Sequence, residues 1–371
     1  MLTKLNLKKK DQEEILAEEI NSSIKIALHR AVFLLYNIFM TLNLLKMALE
    51  NKPKFRLKQA IKLVFQDLIE DWNEASVFPL ELRKELNEKA PLKINSNLFV
   101  SQDNNSAKAI IKLSDNLEVE TALMHHKDER NTICLSSQIG CPLACKFCAT
   151  GKMGFKRNLS HDEILLQVLF WGRYLKRKAE KISNIVFMGM GEPFLNYDNV
   201  FKSIKYLNDA DFFAMSSRKI SISTVGLINE IKKMSNEKYR VNLAISLHAT
   251  KDNSRNNIIP YSKNYSIEKL LQIVDFYISK TGRKVMFEYL MIKGINDSLK
   301  DAQNLAKLMK RPLYFVNLIK YNETGNFKAS DDQTIRMFKK TLQKEGIEVI
   351  ERYRINQDVF GACGQLSLKK I

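Results

Sequence analysis

The chain has 371 residues and carries 59 Lys+Arg against 41 Asp+Glu, a net charge of +18, so it is long enough for a large domain plus a smaller one without disulfides to hold a core. The charge favours a polyanionic partner, nucleic acid foremost, over a neutral small molecule, with a basic but inert surface as the plain alternative. Its five cysteines, Cys134, Cys141, Cys145, Cys148 and Cys363, are odd in number with four crowded together, which argues against a secreted disulfide framework and for a reducing compartment.

In chain order, residues 1–39 read as a charge-rich amphipathic leader, expected to be dispensable, with Met40 a candidate start in its own right. The most apolar stretch, Ala31 to Leu45, is interrupted by Asn37 and Asn43 and is shorter than the roughly 20 residues a membrane-spanning helix needs. An acidic run, Asp11 to Glu19, precedes it where a signal peptide would be basic. A cytoplasmic protein with no membrane partner is expected. Over residues 40–95 the apolar positions Leu57, Ile61, Val64, Phe65 and Leu68 recur at helical steps, and Pro79 and Pro91 bracket a further short helix, predicting a small helical accessory domain. Its stretch NKPKFRLKQAIK holds Lys52, Lys54, Arg56, Lys58 and Lys62 with no acid, either a phosphate-facing stripe or a solvated helix face. Residues 96–130 contain AKAIIKL and LEVETALM, two strand-like runs that predict a β-hairpin.

Over residues 131–350 the pattern changes. NTICLSS, NIVFMGMG, KISISTVG, VNLAISLHA, KVMFEYLMI and LYFVNLIKYN are apolar, β-branched runs, mostly followed by helical patterns. Ser160 with Glu163 predicts a capping box on the first of those helices. Six β/α units in a row predict an α/β fold with a parallel sheet, either curled into a partial (β/α)6 barrel or doubly wound. Residues 351–371 finish the strand EVIERYRI and form the tail NQDVFGACGQLSLKKI.

The unusual residues fall at the C-terminal ends of these strands, where barrel enzymes keep their chemistry. There lie the cysteine loop, GMGEP (189–193), Ser223 and Gly226, SLH (246–248) and Asn322. Cys141, Cys145 and Cys148 are spaced C-x3-C-x2-C. Three thiolates so placed can hold three irons of a cubane cluster and leave the fourth iron open for a substrate. Structural zinc would need a fourth ligand nearby, and the nearest His downstream is His161, while His125 and His126 lack zinc-finger spacing. Taken singly, Cys363, Cys134 and Glu120 read as readily as a buried cysteine, a core strand cysteine and a solvent-facing strand glutamate.

That loop resembles the radical S-adenosylmethionine (SAM) superfamily, and Phe147 fits the aromatic usual between its second and third cysteines. CLSSQIGCPLACKFCATGKMGFKRNLS, FMGMGEPFLNYDNV, ISLHA and ACGQL together resemble the RlmN/Cfr family of adenine-methylating radical SAM enzymes, over residues 50–366. The resemblance implies a partial (β/α)6 barrel of radical SAM type, with the helical accessory domain and the β-hairpin as extensions, and one 4Fe-4S cluster on Cys141, Cys145 and Cys148. It implies SAM bound by Gly191, Glu192, Ser223, Ser246, Leu247, His248 and Asn322, with two SAM used per turnover. It makes Cys363 the methyl-accepting cysteine, Glu120 the proton acceptor and Cys134 the thiol that resolves a covalent enzyme–RNA adduct by forming a disulfide. An adenine ring carbon is not nucleophilic, so direct methyl transfer from SAM would fail there. In the implied route a thiolate at Cys363 takes a methyl group by displacement, and the methyl is then activated by hydrogen abstraction and added to the ring.

The implied target is carbon 2 of an adenosine in the peptidyl transferase centre of 23S rRNA and, in some relatives, the anticodon-adjacent adenosine of tRNA. GMGEP with Pro193 and FEYLMI with Glu288 resemble RlmN, whereas FAMSSRKISIS and NLIKYN resemble Cfr, whose target is carbon 8. A non-catalytic RNA-binding protein with a metal centre is the rival from another class. An external electron donor such as a flavodoxin is implied, and a monomer suffices. Two departures stand out. Asn356 occupies a position usually held by glycine, and the stretch after Asn322 lacks a proline-rich run.

Overall fold

The structure, a computed structural model, describes residues 42–325, 327–352 and 361–368. The expected leader, most of the Ala31–Leu45 stretch and the region around Asn356 lie outside the described residues. The chain divides into one unit of Met1–Phe39 with Ser114–Asn116 and a second of Met40–Leu113 with Leu117–Ile371; the following concerns the second.

Three helices come first, α1 (Leu42–Ala48), α2 (Lys54–Phe65) and α3 (Leu80–Lys89), then β1 (Ser96–Val100), β2 (Ser106–Lys112), β3 (Glu118–His125) and β4 (Asn131–Cys134). A short excursion follows, β5 (Gln138–Gly140), α4 (Ala149–Lys152) and β6 (Phe155–Asn158). From there helices and strands alternate: α5 (His161–Lys176), β7 (Asn184–Phe187), α6 (Tyr197–Asn208), β8 (Ile220–Thr224), α7 (Ile228–Met234), β9 (Asn242–Ser246), α8 (Asp252–Ile258), α9 (Ile267–Thr281), β10 (Val285–Met291), α10 (Leu299–Met309), β11 (Tyr314–Lys320), α11 (Asp332–Lys344) and β12 (Val349–Arg352).

One ten-stranded sheet runs β1-β2-β3-β4-β7-β8-β9-β10-β11-β12. From β4 onward every pairing is parallel. The parallel strands lie in strict chain order, whereas a doubly wound sheet reverses its order at a switch point. That rules out the doubly wound alternative and bears out the expected barrel order. The sheet does not close by pairing β12 with β4 among the described residues, so the α/β fold is a partial barrel.

Local chemistry starts the helices where the sequence places them. Ser160 and Glu163 form the predicted reciprocal capping box on α5, Ser298 and Asp301 form one on α10, and Asp331 caps α11 through the Thr334 amide. The antiparallel extension differs from the predicted hairpin. Ser96–Val100 adds a third strand by pairing along β2; it is mostly exposed, so non-local hydrogen bonding and not an apolar pattern makes it a strand. The accessory helices share the core with the sheet. Trp72 is fully buried, its indole N–H donating to Ala90 O at 2.7 Å, and Phe65 packs on Phe212 at 4.9 Å. Each such buried ring contributes about 2–3 kcal/mol.

Candidate active site

Between β4 and α5 the chain makes a small antiparallel ladder, Gln138 opposite Asn158 and Ile139 opposite Arg157, that holds the cysteine loop at its open end. The Cys141 amide donates to Gly154 O at 2.9 Å, closing that loop at its base, and the Lys146 amide donates to Ile258 O at 2.9 Å, tying it to the end of α8. Cys148 then takes the N-cap position of the short α4 without a hydrogen bond from its side chain to that helix. The three cysteines thus face one cavity, lined also by Gly191, Glu192, Ser223, Ser246, His248, Glu288 and Cys363. These lining residues come from the ends of β7, β8, β9 and β10, from the cysteine loop and from the C-terminal segment.

The GMGEP turn is fixed by close approach. Gly191 has φ +102° and a side chain there would stand 2.6 Å from Gln138 Cβ, so only glycine fits. Glu192 follows, 3 % exposed, accepting from the amides of Phe194 at 3.1 Å and Val225 at 3.0 Å. Its carboxylate therefore buckles the ends of β7 and β8 together. Arg255 does the same for the next pair of strands, donating to Val225 O at 2.6 Å, Ser246 O at 3.0 Å and Leu247 O at 3.1 Å. His248 lies in left-handed backbone with φ +57°. Its Nδ1 accepts from the Leu290 amide at 3.2 Å, which puts the ring proton on Nε2, and its ring meets Phe147 edge-on at 4.9 Å. Leu247 is fully buried and outside the lining, its amide donating to Glu288 O.

Burial sets the electrostatics. It pushes the Cys141 thiol up to about 12 and Cys145 well above the usual thiol value, with the neighbouring cysteines adding to the effect. Burial likewise raises Glu192 to about 7 and lowers His248 to about 3. Thiolate is the metal-binding form, so a metal held here has to displace thiol protons that burial alone would keep. Three cysteines that line one cavity with serine hydroxyls and carboxylates are a donor set that fits an iron–sulfur cluster with one iron left for a polar ligand.

The C-terminal segment 361–368 carries Cys363 to this cavity. The Ala149 amide donates to Gly364 O at 2.8 Å, Thr150 Oγ1 to Leu366 O at 2.6 Å, and Asn322 Nδ2 to Cys363 O at 3.2 Å. Asn322 itself lines a separate shallow pocket with Lys320, Glu323, Ser330 and Gln365, so it reaches the site through the Cys363 carbonyl.

Glu120 and Cys134 lie apart from the lining. Glu120, on β3 and fully buried, accepts from the Ser367 amide at 2.7 Å through Oε2, and its Oε1 lies 3.0 Å from Lys108 Nζ on β2. Burial raises its pKa and Lys108 opposes that. Cys134, at the end of β4, is buried in one cluster with Ala122 and Met124, and Met188, which also lines the cavity, packs against that cluster. Lys108 and Arg255 were not singled out by sequence, and Glu288 was noticed only within FEYLMI, with no site role attached. The one available signal was Lys108 in an otherwise apolar strand run. Of the basic stripe, Lys52 pairs with Glu85, Lys62 with Asp67, and Arg56 donates to Val77 O.

The Radical SAM superfamily pattern matches residues 135–306. A protein of Dictyoglomus turgidum named "Probable dual-specificity RNA methyltransferase RlmN" is 40% identical over 317 residues, covering 85% of this chain and 91% of its own. A like-named protein of Carboxydothermus hydrogenoformans is 42% identical over 325 residues, covering 86% and 93%. The crystal structure of a radical SAM methyltransferase from Sphaerobacter thermophilus superposes with a TM-score of 0.83 at 35% identity, covering 88% of this chain and 97% of that one. None of the described helices is long and apolar enough to cross a membrane. With this fold, the cysteine cavity and relatives matched over nearly their whole length, the chain belongs to the RlmN family of radical SAM RNA methyltransferases, enzymes that use a 4Fe-4S cluster and SAM.

Proposed function

We propose that this protein methylates carbon 2 of one adenosine in the peptidyl transferase centre of 23S rRNA, with the anticodon-adjacent adenosine of tRNA as a second substrate. The single observation that carries the reading is the placement of Cys363. A cysteine some two hundred residues away in sequence lines the same cavity as Cys141, Cys145 and Cys148, and a non-catalytic metal centre gives it no task. The dual-specificity name of the relatives supports two RNA substrates.

In this reading Cys141, Cys145 and Cys148 hold the cluster, and Gly191, Glu192, Ser223, Ser246, Leu247, His248 and Asn322 shape the SAM site. When bound, the cluster and SAM supply methyl transfer and one-electron reductive cleavage. Cys363 presents its sulfur as methyl acceptor. Glu120 takes the ring proton of the adduct; burial makes it a stronger base than a surface carboxylate while the Lys108 charge keeps it ionised. Cys134, as a thiolate, then attacks the Cys363 sulfur, forming the disulfide; the carbon–sulfur bond breaks with its electron pair on the departing carbon, which takes up a proton to become the product methyl group. For that step Cys363 and Cys134 must come to bonding distance, and segment 361–368 is the element that shifts. The helical region 40–95 supports RNA binding through its exposed Lys54 and Lys58. A flavodoxin-type electron donor, a cytoplasmic site and a monomeric enzyme complete the reading.

The test is nucleoside mass spectrometry of ribosomal RNA and tRNA from a methylation-null host expressing the gene, with standards for both methyladenosine isomers. 2-Methyladenosine in rRNA is the expected result. 8-Methyladenosine would put the Cfr reaction in its place, and neither isomer from cluster-loaded protein would reject both.

A further inference from the structure

Hydrogen bonds hold segment 361–368 at two places. On the cysteine-loop side the Ala149 amide donates to Gly364 O at 2.8 Å, Asn322 Nδ2 to Cys363 O at 3.2 Å and Thr150 Oγ1 to Leu366 O at 2.6 Å. At the other end the Ser367 amide donates to Glu120 at 2.7 Å. Ala122 stands opposite Cys134 in the β3–β4 ladder, and Glu120, two residues before Ala122, projects from the same face of the sheet. Ala122 and Cys134 share one buried cluster there. At Ser367 the segment therefore already reaches the face that carries Cys134, and the bonds that keep Cys363 at the cavity are those on the cysteine-loop side. The Thr150 bond is the shortest of these, and both of its residues are buried. Among the described residues Thr150 is the one hydrogen-bond partner of Leu366 O. A carbonyl left unpaired in so dry a place carries its full desolvation cost.

We propose that Thr150 is a positioning residue for Cys363: its hydroxyl latches segment 361–368 with Cys363 at the cavity, and release of that bond lets Cys363 travel to Cys134 about a pivot at Ser367 and Glu120. The inference rests on the reading of Cys363 as methyl acceptor and Cys134 as resolving thiol. That chemistry needs the two sulfurs apart at first and bonded at the end, so the segment needs two stations whose populations the protein sets. In the docked station Leu366 O has the Thr150 hydroxyl; in the released one it meets water. A neutral hydrogen bond exchanged for water biases such an equilibrium modestly. A latch of one hydroxyl is thus firm enough to hold Cys363 at the cavity and weak enough to open in every turnover.

The test uses protein reconstituted with iron and sulfide, kept anaerobic, with cluster content verified by iron assay. In a glutathione redox buffer Cys134 and Cys363 pass two electrons and two protons to glutathione disulfide, giving their own disulfide and two glutathione molecules, and peptide mass spectrometry reads the equilibrium constant. Thr150→Val keeps the side-chain shape but leaves Leu366 O without its donor in the docked station, so that constant should rise about tenfold. Transfer of the methyl group of isotopically labelled SAM to the Cys363 thiolate, which leaves S-adenosylhomocysteine, should fall over the same change. Thr150→Ser retains the hydroxyl and should match wild type in both. Gly346→Ala strains a turn outside the cavity lining and, as the control for general loosening, should leave the constant alone. Should the valine protein not hold its cluster, Thr150→Ala against Thr150→Ser makes the same comparison. A constant unmoved by loss of the hydroxyl, or raised as far by Gly346→Ala, overturns the proposal, and so does methyl transfer that rises with it. Cluster-loaded wild-type protein that puts no methyl group on Cys363, or forms no disulfide between Cys134 and Cys363, overturns the underlying reading itself, an outcome distinct from the others.

Discussion

The backbone amide of Ser367 donates to Glu120 at 2.7 Å while the Lys108 ammonium stands 3.0 Å from the same carboxylate, and both charged side chains are fully buried. The terminal segment that carries Cys363 is thereby fastened to the residue proposed as proton acceptor. Lys108 and Glu120 are not direct cross-strand partners. Glu120 faces Ile110 in register, and Lys108 lies two residues before it on the same face, a diagonal that a long side chain spans. Removing the cation alone, in Lys108→Met, leaves a buried carboxylate unpaired and should cost about 3–5 kcal/mol in urea unfolding. Lys108→Met with Glu120→Leu should recover most of that. Lys108 lowers the pKa of Glu120, so in the single variant the acid limb of the turnover profile should move to higher pH. A stable single variant with an unmoved profile would remove Lys108 from this role.

Gly191 meets two demands at once, a left-handed backbone and contact with β5. Gly191→Ala places a methyl group 2.6 Å from Gln138 Cβ and 2.8 Å from the Gln138 amide nitrogen, and backbone cannot yield there cheaply. Gly346 is the control, with φ +78° and nothing near its missing side chain. Gly346→Ala should lose only the conformational cost, about 1–2 kcal/mol. Gly191→Ala should add about 1–3 kcal/mol of overpacking and weaken SAM binding. Equal losses in thermal or urea unfolding would show that the turn relaxes.

Stability should depend on pH through Glu192. Burial raises its pKa from the ordinary 4.5 to about 7, so the folded state holds its proton longer than the unfolded state does. Its contribution is fully present below about pH 4.5 and is lost as pH rises through 7. Asp162, raised by burial from 3.8 to about 6, acts with the same sign over a lower window. In cluster-free protein, the unfolding free energy of the wild type relative to Glu192→Gln should therefore fall between pH 5 and 8, with the Asp162 contribution common to both. Parallel curves for the two proteins would contradict the assignment.

What the sequence made legible was what local pattern encodes. The parallel strands were visible as buried β-branched runs, and the cysteine loop, GMGEP and SLH were visible as odd residues at their ends. Local pattern alone did not choose a barrel over a doubly wound sheet, because strand order is a property of pairing and each run reads the same in either arrangement; the family resemblance supplied the partial barrel. Ser96–Val100 was missed for the same reason, having little apolar pattern of its own. Within the site, Lys108 and Glu288 matter through partners on other strands, Glu120 for one and Ser223 and Ser246 for the other. Spacing along the chain carries no trace of such contacts. The terminal segment shows the converse case, since ACGQL was noticed by motif although only folding brings Cys363 to the cysteine loop.

Cys134 tests the proposed chemistry most directly. It lies at the end of β4, buried in a cluster with Ala122 and Met124 against which Met188 of the cavity wall packs, and its proposed task comes only after the enzyme has bonded to RNA. Cys134→Ala removes one buried sulfur and should cost about 1–2 kcal/mol of stability, leaving the cluster ligands, the cavity and Cys363 as they are. Methylation of Cys363 and addition to the adenine should then proceed, and release should not. The variant purified from cells should carry covalently attached RNA, seen on a denaturing gel as slow-migrating heterogeneous material that collapses on nuclease treatment. Cys134→Ala with Cys363→Ala should run as a single clean band, because the attachment point is gone. A clean band from the Cys134 variant in cells with a working electron supply would mean that some other group resolves the adduct, and Cys134 would revert to a packed strand residue.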